Sequence, residues 1–177
     1  MRIHVVGTSG SGKSTIAREL ARTLQIPHIE LDELHWGASW TPKPSFFEDT
    51  VASLDRHPHW VVCGNYSKVA DEITKRVDTI VWLDFPIWTP LLRITLRSIK
   101  RSLLREKLWA GNQETFTGFL FNKESMFRWV LRTHARRKTT YSALRDETSP
   151  RVNWIALQKP EATETLIEKI KAQLNTH

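Results

Sequence analysis

Apolar and polar positions follow two periods along the chain. Short runs at residues 2–6, 27–31, 60–63, 79–83 and 152–157 have the length and branched content of buried strands. Between the first two, Ile16, Ala17, Leu20, Ala21 and Leu24 recur at helical spacing, and Pro27 marks the end of that segment. The same period predicts helices through Phe47, Val51 and Leu54; through Leu92, Leu96, Ile99 and Leu103; and through Leu166, Ile167, Ile170 and Leu174. Strands alternating with such helices imply a five-stranded parallel sheet covered on both faces, a three-layer α/β sandwich. The interval from about 88 to 146 is too long for a simple crossover, and Gly111-Asn112-Gln113-Glu114-Thr115 in its middle carries turn signals. It is expected to form a helical insertion or lid within one domain spanning residues 1–177.

Composition narrows the class. The 177 residues are 40% hydrophobic and 25% charged, enough for one domain with a sizeable core. Cys63 is the only cysteine, so neither an intramolecular disulfide nor a cysteine-based zinc site is expected, and the chain suits a reducing, cytoplasmic setting. No signal peptide precedes the strand-like Ile3-His4-Val5-Val6, and no apolar stretch approaches the roughly 20 residues that span a bilayer. The expectation is a soluble protein with no membrane partner. The net charge of +7 favours polyanions, and the arginines crowd into residues 93 to 151. The eight tryptophans are dispersed, as core and groove lining rather than as a stacking array.

The chemistry begins after the first strand. Gly7-Thr8-Ser9-Gly10-Ser11-Gly12-Lys13-Ser14 satisfies the P-loop pattern G-x-x-x-x-G-K-[ST], with Thr15 following. Triphosphate oxygens need inward-turned backbone N–H groups, which glycines permit. Lys13 is placed to reach the β- and γ-phosphates and Ser14 to ligate magnesium, while the next helix adds its positive N-terminal end. ATP and Mg2+ are the expected ligands.

Reactive groups in such a sheet belong at the carboxyl ends of the strands. In His28-Ile29-Glu30-Leu31-Asp32, two-residue alternation places Glu30 and Asp32 on one face. Asp32 is a candidate for orienting an acceptor hydroxyl, accepting its proton or holding magnesium through water, and equally a candidate N-cap for a helix starting near Glu33. Ile80-Val81-Trp82-Leu83-Asp84 has the form of a Walker B segment, although Asp84 also suits the cap of a helix beginning near Pro86. In Cys63-Gly64-Asn65-Tyr66, Asn65 or Tyr66 is placed either to contact a second substrate or simply to form a turn. Arg93, Arg97, Arg101 and Arg105 recur every four residues, as do Arg128, Arg132 and Arg136, with Arg137 adjacent. The first set reads first as a solvated basic face, with a phosphate-clamping role as its alternative. Arg132, Arg136 and Arg137 are the preferred clamps for transferring phosphoryl oxygens.

These segments, with Leu34-His35-Trp36, Trp82-Leu83-Asp84-Phe85-Pro86 and Leu131-Arg132-Thr133-His134-Ala135-Arg136-Arg137, resemble the adenylate-kinase-related proteins labelled DNA topology modulation proteins. The resemblance covers essentially the whole chain. It implies a nucleoside-monophosphate-kinase type of fold with strand order 2-3-1-4-5, a mobile lid, and ATP as donor. It further implies that Arg137, with Tyr141 four residues on, contacts transferring phosphates, and that Leu157-Gln158-Lys159-Pro160 covers the adenine ring, with Lys159 at the nucleotide. Gly64-Asn65-Tyr66-Ser67 departs from the Asp-Gly-Phe-Pro-Arg of adenylate kinases, and the acid after the second strand is more like that of shikimate and gluconate kinases. The leading expectation is therefore an ATP- and magnesium-dependent kinase acting on a small-molecule or nucleotide acceptor. The alternatives are a nucleic-acid-associated ATPase that modulates DNA topology and a nucleotide-dependent regulator.

Overall fold

The computed structural model describes residues 1–104, 110 and 126–174. Five strands form one parallel sheet: β1 (Arg2–Gly7), β2 (His28–Glu30), β3 (Trp60–Cys63), β4 (Thr79–Leu83) and β5 (Asn153–Leu157), in the order β2-β3-β1-β4-β5. The predicted five-stranded sandwich and its strand order are both observed.

The helices are α1 (Lys13–Leu24), the short α2 (Leu31–His35), α3 (Phe46–Arg56), α4 (Ser67–Arg76), α5 (Trp88–Leu104), α6 (Met126–Thr148) and α7 (Glu161–Leu174), with a 3-10 turn at Ala38–Trp40. On one face of the sheet Ile3, Val5 and Val61 pack against Ile16, Ala17 and Leu20 of α1 and Ile167 of α7. On the other, Val6, Val62 and Ile80 meet Phe46 and Leu54 of α3 and Val69 and Ile73 of α4. The central strands are mostly apolar on both faces because both are covered; the exception is His4 in β1, whose ring is hydrogen-bonded to the Gly64 carbonyl at 3.0 Å. None of the described helices is long and apolar enough to cross a membrane.

Two predicted helix faces are rotated from the observed ones. In α3, Phe46 is buried at 2% exposure while Phe47 stands 42% exposed, so Phe46, Thr50 and Leu54 form the inward stripe. In α5, Leu91 and Ile94 pack against Val130 of α6, whereas Leu92 and Leu96 face outward at 62% and 58% exposure, beside Trp88 at 76%. The apolar arc of α5 is wide, running from Leu91 and Ile94 to Trp88, Leu92 and Leu96, so its period does not select which part of the arc packs. The expected turn at Gly111–Thr115 and the residues Arg105 and Trp109 lie outside the described residues.

Candidate phosphate and acceptor site

The central strand β1 ends at Gly7, and the chain turns through residues 8–12 into α1 at the carboxyl edge of the sheet. Gly10 adopts φ +83°, and a Cβ there would lie 2.6 Å from the Pro90 carbonyl oxygen at the start of α5. Gly12, at φ +100°, caps α1, and its Cβ position lies 3.2 Å from Arg93 Nη1. Any other residue at these positions meets strained angles and occupied space.

Five contacts fix the loop. Lys13 Nζ donates to the Thr8 carbonyl at 3.2 Å, and Arg93 Nη1 donates to the Ser11 carbonyl at 2.8 Å. The Thr8 hydroxyl and His134 Nδ1 are hydrogen-bonded at 3.0 Å, and Arg137 Nη1 lies 3.5 Å from Ser9 Oγ. Asn65 Nδ2 donates to the Gly7 carbonyl at 2.6 Å. The buried Ser11 hydroxyl has no hydrogen-bond partner among the described residues.

Burial pushes the Lys13 ammonium down to about 8, the Arg137 guanidinium adds to the shift, and Asp32, Cys63 and Glu30 oppose it. Burial likewise lowers Arg137. Two cations, Lys13 and Arg137, converging on a glycine loop at a helix N-terminus are what a phosphate chain requires. The residues present therefore fit a nucleoside polyphosphate.

Strand β2 ends at Glu30, and the backbone enters α2 at Leu31, so Asp32 lies in the first turn of a helix rather than on a strand face beside Glu30. Glu30, not Asp32, occupies the N-cap position. The Tyr66 hydroxyl donates to Asp32 Oδ1 at 2.6 Å, and burial followed by the Asp32 charge pushes the Tyr66 phenol well up. Tyr66 thus remains a neutral donor that fixes the Asp32 carboxylate. Around this pair the His35 ring lies 4.4 Å from Tyr66, Phe46 5.0 Å from Tyr66, and Trp36 4.5 Å from His35. The buried His35 Nδ1 has no partner among the described residues.

Glu30 accepts a hydrogen bond from Ser14, and burial raises its carboxyl above the usual range. Sequence reasoning left Glu30 without a role, although a carboxylate in a buried strand was the available signal. Arg93 was likewise read as part of a solvated face, yet it touches the loop backbone and lies over the Phe85 ring at 5.6 Å. His134 and Lys138 were also missed. Together with Arg137 and Tyr141 they form one face of α6, which points at the loop and the sheet edge.

The structure does not bring Arg132 and Arg136 to that face; both are exposed, and Arg136 lines a shallow outer groove with Thr139 and Thr140. Ser14 lies at the mouth of the loop as α1 begins, whereas Thr15 is exposed. Lys159 is exposed in the turn between β5 and α7. Asp84 does not cap α5, which starts at Trp88; its carboxylate instead pairs with Lys138 Nζ at 3.3 Å.

With this geometry established, solved structures give the fold a name. Shikimate kinase from Bacteroides thetaiotaomicron superposes over 99% of this chain and 98% of its own, with a TM-score of 0.56 and 16% identity. The P-loop kinase fold is present. Shikimate kinase from Aquifex aeolicus matches with a TM-score of 0.54 and 20% identity over 99% and 96% of the two chains. A gluconokinase from Sinorhizobium meliloti gives 0.53 and 18% over 99% and 91%. Among curated sequences, the uncharacterized protein YqaC of Bacillus subtilis is 28% identical over 102 residues, which span 56% of this chain and 57% of YqaC. No protein-family profile matches the chain.

Proposed function

We propose that this P-loop kinase fold carries an ATP- and magnesium-dependent phosphotransferase that acts on a small hydroxylated acceptor. The observation that carries the reading is the convergence of Lys13 and Arg137 on the glycine loop while Asp32, held by Tyr66, lies close enough to influence both. Structural neighbours named shikimate kinase and gluconokinase support the same class.

In this reading residues 7–13 and Arg137 hold the phosphate chain and stabilise the charge that spreads over the transferring phosphoryl oxygens. Ser14 and Asp32 are the candidate magnesium holders; the ion supplies charge neutralisation at the β- and γ-phosphates. Asp32 accepts the acceptor hydroxyl proton as the acceptor oxygen bonds to the γ-phosphorus and the bond to the β-phosphate oxygen breaks, releasing ADP. Lys159, exposed in the turn between β5 and α7, is assigned to the base of the nucleotide in this reading. The rings of His35, Trp36 and Tyr66 beside Asp32 favour an acceptor with a planar ring as well as a hydroxyl, a nucleoside or nucleotide over a polyhydroxylated chain. The interval 88–146, which contains Arg93 and Arg137, is read as the lid.

An ADP-release screen with magnesium and ATP tests this. Nucleosides are expected to stimulate turnover more than sugar acids do. No stimulation by any nucleoside, nucleotide or hydroxylated metabolite overturns the kinase assignment, and stimulation by sugar acids alone overturns the acceptor class.

A second reading, nucleic-acid binding coupled to ATP hydrolysis, draws on the exposure of Arg128, Arg132 and Arg136 along the outer side of α6. Such binding would weaken steeply with salt through counterion release. Failure to bind duplex or single strands at low salt removes it.

A further inference from the structure

The register of β2 against β3 pairs His28 with Val61 and Glu30 with Cys63. Residues two apart on a strand share a face, so His28 and Glu30 project together on the face that Cys63 shares with Val61, Ile16 and Ala17. That face is otherwise an apolar core. Three metal-ligating groups in such a place need an explanation, and they touch: His28 Nε2 lies 3.2 Å from Cys63 Sγ, which lies 3.2 Å from Glu30 Oε1. The three ligand atoms all fall within 4.8 Å of one another.

Metal–ligand distances of about 2.3 Å to sulfur and about 2.0–2.2 Å to nitrogen and oxygen place neighbouring ligands of a tetrahedral zinc roughly 3.4–3.6 Å apart. The two contacts to Cys63 Sγ need lengthen by only a few tenths of an ångström, and the His28 and Glu30 ligand atoms, within 4.8 Å of each other, complete three corners of a tetrahedron by side-chain movement. The donor set is selective. Thiolate and imidazole favour zinc-class ions, whereas magnesium demands an oxygen shell. Three protein ligands leave a fourth position for water or another donor, and Ser14 Oγ lies 3.9 Å from Cys63 Sγ. With a lone cysteine in the sequence no cysteine-based zinc site is expected; a single thiolate in a mixed donor set runs against that expectation.

We propose that His28, Glu30 and Cys63 form a zinc-class divalent cation site whose occupancy draws Glu30 away from Ser14 and so inhibits the adjoining phosphate site. On binding, the Cys63 thiol proton is released to solvent and its sulfur bonds to the metal, with no change of oxidation state. Arg18 faces His28 and Lys13 faces Glu30 and Cys63; both oppose the incoming cation and make the site reversible rather than structural. The inhibitory consequence rests on the phosphotransferase reading, but the metal binding does not.

Titration of the full chain with cobalt(II) under reducing conditions separates the two. A near-ultraviolet thiolate-to-cobalt charge-transfer band with the visible bands of four-coordinate cobalt is expected, displaced by stoichiometric zinc. Cys63→Ser should abolish the charge-transfer band, and His28→Gln, at a half-buried position, should keep a band but require much more cobalt to develop it. Absence of the band in the wild-type chain, or an unchanged cobalt titration in His28→Gln, overturns the site. Where turnover is measured, zinc should inhibit the wild-type chain and lose that effect in Cys63→Ser. Equal inhibition of both overturns the coupling while leaving the spectroscopic result to decide the site.

Discussion

The Tyr141 hydroxyl donates to Asn65 Oδ1 at 2.8 Å, and Asn65 passes the connection on by donating from Nδ2 to the Gly7 carbonyl. One side chain thereby ties the long helix α6 to the first residue of the phosphate loop through the end of β3. Burial pushes the Tyr141 phenol up to about 12, with Arg137 opposing, so it stays a neutral donor at physiological pH. Tyr141→Phe removes a part-buried hydrogen bond to the Asn65 amide oxygen and should cost about 0.5–1.5 kcal/mol of stability. Asn65→Ala removes both bonds, and the double variant should be less destabilised than the sum, as measured by denaturant unfolding. Additive losses would show that the two residues do not act as one link.

Arg137 and its neighbours offer an internal comparison. Arg137→Ala should lower turnover by about 10²-fold or more, the scale of losing one charge-stabilising donor in a low-dielectric site. Arg132→Ala and Arg136→Ala, which alter exposed side chains, should stay within a few-fold of wild type. Steady-state rates for the three variants check the assignment; equal losses would return all three arginines to the site.

Lys13 carries a pH signature. Its ammonium sits at about 8 in the free protein because of burial and Arg137, and a bound triphosphate reverses that second cause. The bound form then holds a proton that the free form has partly lost, so binding at pH 8–9 takes up protons while binding near pH 6 does not. Calorimetry in buffers of different ionisation enthalpy measures the uptake, and it should disappear in Lys13→Ala together with most of the triphosphate affinity. Unchanged nucleotide affinity in that variant would remove Lys13 from the site.

Asp32 and Tyr66 separate proton transfer from binding. Asp32→Asn should reduce turnover by about 10²–10⁴-fold, the usual range for a general base, with nucleotide affinity in the absence of magnesium little altered. Tyr66→Phe keeps the carboxylate but loses its 2.6 Å bond, and a smaller loss of turnover is expected. If Asp32→Asn instead abolishes magnesium-dependent binding while leaving bound complexes competent, the residue serves the metal rather than the proton.

The sheet was legible because its code is local. Runs at 60–63 and 79–83 coincide with β3 and β4 residue for residue, since strands buried on both faces must be apolar throughout. Helix α6 was legible only as a spacing of arginines. Apart from the buried Val130, the side that faces the loop is built from His134, Arg137, Lys138 and Tyr141, so it is largely polar and the hydrophobic period that normally locates a helix face is weak. Asp32 illustrates a different limit. Two-residue alternation placed it beside Glu30, but the switch from strand to helix at Leu31 turns it toward Tyr66 instead. Periodicity describes the interior of elements, and chemistry here sits at their junctions.

At Gly10 the missing side chain has a mechanical meaning. Because the Pro90 carbonyl oxygen occupies the place of a Cβ, the glycine loop and the first turn of α5 touch backbone to backbone. No rotamer can swing aside at such a contact, so a displacement of the loop is passed to α5 without slack. Whatever shifts the loop at residue 10 is felt at once by the helix that carries Arg93 back to Ser11.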